Sequence, residues 1–534
     1  MNCAIAAILL ATAWPQFGHD PGHSGLADST AQALHAVLAR VVMDPFASVE
    51  RESQDGDLLV HYAAPILDGD DMFVELKGGT PSQPSWGVEA LRWEGPSLVP
   101  RWTAMSDWRP EPFGNPNEGP VFEPVFQPVL ANGSIYMPGG GGSVIRIDRD
   151  SGAMLARFGG SDAMTFAAGA LTAEPNGNID YDVIALAASG DPWTSDVRGA
   201  WLTRITPSGG IFRARYTDIV SGAPAATAQC LGIFSMGQLP WPPSADAIPP
   251  SIPCGSQRPG INAAPAIAPD GTIYTVSRAH FNSRWSYLVA LNPDLTPKWA
   301  VSLRDRFDDG CNVLLPLNGS PGGCRAGART GVDPSDNTAG AGRVTDDSSS
   351  SPMIAPDGSV IYGAYTRYNG SRGHMMHFSA RGEFLGAYPF GWDISPAFRV
   401  HDGTYSVVTK ENRYPIGTYC DDPQWCPPFE ASFLVTQLSA SMHAEWTFEN
   451  PSGDEWCVNG PAIGADGTVF MNAEDGVLYA IRPDGSLDRS LILSTGGGQS
   501  YTPLAIDGRG RVYAETGGIL YVTGTPARVR AVRP

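Results

Sequence analysis

"APAIAPDGTIYTV", residues 264–276, carries the pattern on which the fold turns. A proline heads a short apolar run, an Asp-Gly pair follows, and a second apolar run alternates with small polar residues. Asp and Gly tolerate the positive φ of tight hairpin turns, so the stretch reads as two strands joined by a turn. The pattern recurs in "SPMIAPDGSVIYGA" (351–364), "GPAIGADGTVFMN" (460–472), "QPVLANGSIYMP" (127–138), "APILDGDDMFVEL" (64–76) and "TPLAIDGRGRVYAE" (502–515). Calcium would demand the spaced D-x-D-x-D-G loop with a distal Glu, which these segments lack. The aspartates are therefore turn residues.

A second hairpin follows most of these segments. "YLVALNPDLTPKWAVSL" (287–303) ends on a strand carrying Trp299, and "FLVTQLSASMHAEWTF" (433–448) repeats the offset, Leu438 to Trp446 matching Leu291 to Trp299. Trp102 and Phe158 close the corresponding hairpins upstream. Two hairpins make a four-stranded antiparallel sheet, and such sheets at spacings of 40 residues and upward are propeller blades. First strands starting near 65, 128, 169, 265, 352, 396, 461 and 503 give eight units. The last supplies three strands and stops near Gly524, so "VLARVVMD" (37–44) is expected to donate its outer strand and hide the open edge.

The opening "WPQFGHDPGHSG" (14–25), followed by these proline-headed repeats and Trp-ended hairpins, resembles the PQQ-like β-propeller repeat superfamily over nearly the whole chain. The resemblance implies an all-β, eight-bladed propeller with a ligand-binding central funnel. That superfamily includes quinoprotein alcohol dehydrogenases and a non-enzymatic scaffold of outer-membrane protein assembly, and a shared fold does not choose between them. A quinoprotein requires two adjacent cysteines against its cofactor, calcium held by Glu, Asn and Asp, and a tryptophan platform. No two cysteines are adjacent in this chain. Asp346, Asp347, Asp393 and Asn459 are oxygen-rich positions that match none of that family's motifs. No cofactor is expected on the scaffold reading; PQQ and Ca²⁺ belong to the dehydrogenase alternative. His19 and His23 are four apart, but Pro21 and Gly22 break the helix that would put both on one face. The opening reads as a hook leading the N-terminus across the propeller to the last blade.

The net charge of −20 and the lack of a Lys/Arg run argue against nucleic acid and anionic lipid as partners. Residues 1–13, "MNCAIAAILLATA", read as a signal peptide, too short to span a bilayer and ending in small residues. The expected product is a secreted or periplasmic monomer, one propeller domain over 14–524 with a tail at 525–534. Export favours disulfides, and sequence-near pairing joins Cys230 to Cys254, Cys311 to Cys324 and Cys420 to Cys426, leaving Cys457 over. Each pair sits in a segment outside the blade pattern, at about 215–262, 304–349 and 414–430. Loops that long in a compact domain usually serve recognition.

These insertions join an outer strand to the next inner strand, a connection that the resemblance to the PQQ-like superfamily implies lies on the funnel face. The residues just ahead of each inner strand should ring its mouth: Gln127, Asn262, Ser350, Asp393, Asn459 and Tyr501, with Tyr62, Phe166, Ser349 and Ser500 beside them. The set is polar and aromatic with few charges, which suits a neutral hydroxylated ligand or a peptide backbone. The candidate partners are thus a protein, a peptide or a carbohydrate. No G-x-S-x-G or H-E-x-x-H motif is present. His374 and His377, three apart on a strand, point to opposite faces, one expected between sheets and one exposed, and bind no common metal. Three readings stand at this stage: a binding scaffold, a quinoprotein dehydrogenase, and a hydrolase or lyase acting through Asp393.

Overall fold

The computed structural model describes residues 13–54, 56–110, 122–160, 162–188, 190–235, 242–307, 310–311, 327–366, 373–413, 431–495 and 501–526. Eight sheets succeed one another along them, each with a run of four antiparallel strands: 66–105, 129–158, 172–215, 266–302, 353–388, 397–449, 462–492, and 505–524 joined by Ala36–Val42. The Asp-Gly turns explain their regularity. Gly271, Gly358 and Gly467 sit at φ near +83. Asp270, Asp357 and Asp466 each accept, through Oδ1, the backbone N–H two residues on, at 2.9, 2.9 and 3.2 Å. The carboxylates brace the turn.

Consecutive sheets pack face to face. Ile66, Phe73 and Trp86 of the first meet Ile135, Met137 and Ile147 of the second in one apolar cluster, and similar clusters follow around the array. The repeated aromatic of the outer strand explains itself here. Trp102, Trp299 and Trp446 lie against the turn glycine of the following sheet, Gly152, Gly382 and Gly485. Their indole N–H groups donate to the carbonyls of Arg149, Ala380 and Pro483 at 3.0, 3.1 and 3.1 Å. Phe158 covers Gly209 in the same way without a hydrogen bond to give. Those glycines have positive φ, and a Cβ would fall within 3.0 Å of the indole. Glycine is required twice over.

Ala36–Val42 pairs antiparallel with Ile519–Gly524, in register Arg40 to Tyr521 and Val42 to Ile519. The first and last sheets also touch: Trp93 Nε1 donates to the Tyr513 hydroxyl at 3.1 Å, and the Arg511 guanidinium lies 4.1 Å over the Trp93 ring.

The N-terminal hook visits every sheet in order. Trp14 pairs with Leu67 of the first. Pro15 O accepts from Leu130 N and Gln16 Oε1 from Ala173 N, both at 2.8 Å. Pro21 O, Gly22 O, Ser24 O and Gly25 O accept from Ile267, Ile354, Phe398 and Ile463 N at 2.7–3.0 Å. Ser29 Oγ then donates to Asp507 O, and Gln32 N to Gly510 O, in the last sheet. Except at the third and last sheets, the sheet residue contacted lies two after the repeat's proline: Leu67, Leu130, Ile267, Ile354, Phe398, Ile463. Innermost strands are sheet edges, and the hook satisfies their inward N–H groups.

One expectation needs revision. His374 and His377 are both buried, at 3% and 5% exposure, so neither is the exposed one. Their strand has a sheet packed on each face; His374 stacks on Phe307 and His377 Nε2 meets Ser359 Oγ at 2.7 Å. The insertions also carry more structure than open loops: Gln229–Leu231 pairs with Ser251–Pro253, Gln257–Pro259 joins the fourth sheet, and Asn337 Nδ2 ties the two insertions together by donating to Ala245 O and Ala247 O. The segment 414–430, with Cys420 and Cys426, lies outside the described residues.

Candidate functional site

Of the residues ahead of the inner strands, Tyr62, Asn262, Ser349 and Asn459 line one cavity with Phe17 of the hook. Gln127, fully buried, accepts from Ala64 N at 2.6 Å through Oε1 and donates to Ala64 O and Pro128 O. Ser351 Oγ accepts from Ala264 N at 2.8 Å, and Ser395 Oγ from Ser351 N at 2.9 Å. One rule covers all three: the side chain before the proline takes the N–H of the equivalent residue in the preceding sheet. Ser350 is held likewise, its Oγ donating to Ile394 O and accepting from Gly363 N. These four side chains clasp neighbouring sheets together.

Asn262, at φ +69, accepts from Val125 N at 3.0 Å and donates to Asp346 O at 3.4 Å. It lines a small cavity together with Phe17, Tyr62, Val125, Ala170, Ser349 and Asn459. The volume is about 10 Å³, room for about one water. Two polar atoms there have no partner among the described residues: Ser349 Oγ and Asn459 Oδ1, on residues only 5% and 3% exposed. A buried polar atom left unpaired costs about 1–3 kcal/mol, so the recess calls for a hydrogen-bonding guest.

Beside it the expected Asp393 and Tyr501 meet His61 and Lys410, which the sequence pattern did not mark. Asp393, at φ +64, accepts from Ser349 N at 3.3 Å and faces Lys410 Nζ at 3.6 Å. Burial raises its carboxyl to about 7 against the pull of the Lys410 ammonium, and the Asp347 carboxylate adds to the rise. Tyr501 stacks on His61, centroids 3.9 Å apart, with Lys410 Nζ 5.5 Å over its ring and Phe122 at its side. Burial lowers the His61 imidazole to about 3, so it is neutral and donates through Nδ1 to Glu123 O at 2.8 Å. Asp346 binds Arg258 through both oxygens, at 2.8 and 2.6 Å, and Arg278 at 3.0 Å. Burial pushes that carboxyl up, but the two guanidiniums outweigh it and hold it well below the usual range. On the far side Lys77 joins Glu123 and Glu50 at 2.5 Å and Asp44 at 3.4 Å.

Two disulfide sites can be placed. Cys230 and Cys254 are bonded, 24 residues apart. Cys311 is also disulfide-bonded, while its expected partner Cys324 lies outside the described residues. Cys457 is free and buried.

These residues do not fit a quinone with its calcium. The Asp346 carboxylate already binds both guanidiniums, Lys410 faces Asp393, the aromatic faces cover each other, and the recess beneath takes one small group. Among the described residues no three His, Cys, Asp or Glu side chains are grouped to hold a metal ion. None of the helices there is long and apolar enough to cross a membrane.

The fold defines the class. The chain is a β-propeller of the architecture found in quinoprotein alcohol dehydrogenases. It is similar to a europium-containing methanol dehydrogenase, with 13% identity, a TM-score of 0.55, and 94% of this chain and 89% of that one covered. The quinohemoprotein alcohol dehydrogenase from Comamonas testosteroni aligns with 13% identity, a TM-score of 0.56 and coverage of 99% and 83%. One from Pseudomonas putida HK5 gives 12%, 0.52, and 96% and 76%. No protein-family profile and no curated protein matches the sequence. At such identities the likeness is one of fold.

Proposed function

We propose that this is an exported, monomeric propeller of eight blades, closed by its N-terminal strand, that works as a binding scaffold. The unpartnered Ser349 Oγ and Asn459 Oδ1, buried at the channel floor, carry this reading. Asn262, Asp393 and Tyr501 surround them, and the insertions bearing Cys230–Cys254 and Cys311 frame the approach on the funnel face. Paired charges and a one-group recess favour a neutral ligand that offers a single hydroxyl or amide, as a carbohydrate or a peptide backbone does. The Cys230–Cys254 bond supports export to a secreted or periplasmic location, because such bonds persist in oxidising compartments. Saturation-transfer NMR with cellotriose and with triglycine tests the site. Transfer to one of them from the wild type, lost in Asn459→Leu with an unchanged circular dichroism spectrum, is the expected result. Transfer to neither probe overturns the reading.

A second reading has one observation behind it. Asp393, near neutrality beside Lys410, is poised as an acid or base, as a hydrolase or lyase would need. Turnover of a polymer that disappears in Asp393→Asn would favour it over the scaffold.

A further inference from the structure

The hook is held by backbone hydrogen bonds, by side-chain bonds of Gln16, His23 and Ser29, and by burial of Trp14 and Phe17, and none of these depends on its being covalently joined to the ring. Six inner-strand N–H groups, Leu130, Ala173, Ile267, Ile354, Phe398 and Ile463, point to it in sequence. Sheet edges capture extended peptides in this way, with main-chain bonds supplying affinity and small pockets supplying selectivity.

The hook also carries hydrogen bonds of its own. Gly25 N donates to Gly18 O and His23 N to Asp20 O, at 2.9 and 3.0 Å, and Asp20 Oδ1 accepts from Gly22 N at 2.8 Å. A peptide already folded into its bound form gives up less freedom on binding. Its path allows entry without threading. Ala13 pairs with Asp68, at the Asp68–Asp71 turn of the first sheet, and Gln32 bonds Gly510, in the turn of the last. Both ends thus leave by the turn face, while the apex residue Phe17 lines the funnel floor. Partners 478 residues apart, such as Ser29 and Asp507, cannot meet until the last sheet exists.

We propose that the turn-face end of the channel is a peptide-binding site, that residues 14–32 are its ligand within the same chain, and that they seat as a loop after the ring has formed. The site takes a compact, glycine-bearing peptide with carbonyls spaced to meet the inner-strand N–H groups. At Gly25 it has no room for a side chain, since a Cβ there would lie 2.7 Å from Ala397 Cβ and 2.9 Å from Pro461 O.

The full-length protein with a protease recognition sequence inserted after the exposed Ala33 tests this, because every native residue is kept. After cleavage the folded protein should retain the hook, release it at denaturant concentrations below global unfolding, and take up a fluorescein-labelled synthetic peptide of residues 13–32, read by anisotropy. The same peptide with Gly25→Ala should bind more weakly, by roughly thirtyfold, as the loss of about two backbone hydrogen bonds implies. Unfolding on cleavage, no exchange below global unfolding, or equal binding of the two peptides would each overturn the proposal.

Discussion

Gly25→Ala in the intact chain isolates the contact between hook and ring. Gly25 has φ +64, and an added Cβ would meet Ala397 Cβ at 2.7 Å and Pro461 O at 2.9 Å, neither of which is the end of a flexible side chain. Placing alanine in the left-handed region costs about 1–2 kcal/mol. Relieving the collision means lifting the hook from the seventh sheet, where Ile463 N donates to Gly25 O at 2.9 Å and Ala27 N to Ile463 O at 2.8 Å. Each such bond contributes about 1 kcal/mol net, so the whole change should destabilise by roughly 3–4 kcal/mol. Gly95→Ala is the matched control: φ is +62, and nothing lies within 4 Å of the added Cβ. It should lose only the backbone part, about 1–2 kcal/mol. Urea unfolding followed by tryptophan fluorescence compares the two. Equal losses would refute the claim that the hook is pressed against the inner strands.

Trp299→Leu removes the indole from Gly382 and the bond to Ala380 O, and should cost about 2–3 kcal/mol in the same unfolding assay. A loss under about 0.5 kcal/mol would mean that outer-strand aromatics do not join neighbouring sheets. Asp393 releases its proton in the unfolded chain near 3.8 but holds it in the folded protein up to about 7, so its burial lowers stability as pH rises through that window. His61, lowered to about 3, acts oppositely, costing stability as pH falls below 6.5. Asp393→Asn removes only the first effect. Its stability relative to wild type should climb by up to about 4 kcal/mol between pH 4 and 7 and stay level above; a difference independent of pH contradicts this. Reducing Cys230–Cys254, or changing both residues to serine, frees a closure of 24 residues worth about 3 kcal/mol. Proteolysis should then begin in 215–262 while the sheets persist, and simultaneous digestion of the sheets would count against a local role.

The sheets were legible because their signal is local. Asp-Gly turns and alternating apolar strands lie within a dozen residues of one another, and the donated outer strand, expected at 37–44, is found at Ala36–Val42. The hook was legible in outline, since Pro21 and Gly22 ruled out a helix, but its bond to every sheet depends on backbone groups scattered along the chain from Leu67 to Gly510. The funnel was read from position alone. That logic brings Asn262, Ser349 and Asn459 to one recess, yet it could not tell them from Gln127 and Ser350, whose side chains answer backbone groups of adjoining sheets. It also passed over His61, Lys410, Arg258 and Arg278. None of them belongs to the proline-headed repeat, and three of them sit within or beside strands whose far ends reach the channel. The exposed member of the His374/His377 pair failed for a related reason: a strand third from the channel still has a sheet on both faces.

The most direct test of the account is a titration of the purified protein with PQQ in the presence of Ca²⁺, followed by absorbance and by melting temperature. With Asp346 and Asp393 already facing the channel cations, and a recess the size of one water, neither the quinone spectrum nor the melting point should change. A bound-quinone spectrum together with dye-linked alcohol oxidation would contradict the scaffold reading outright.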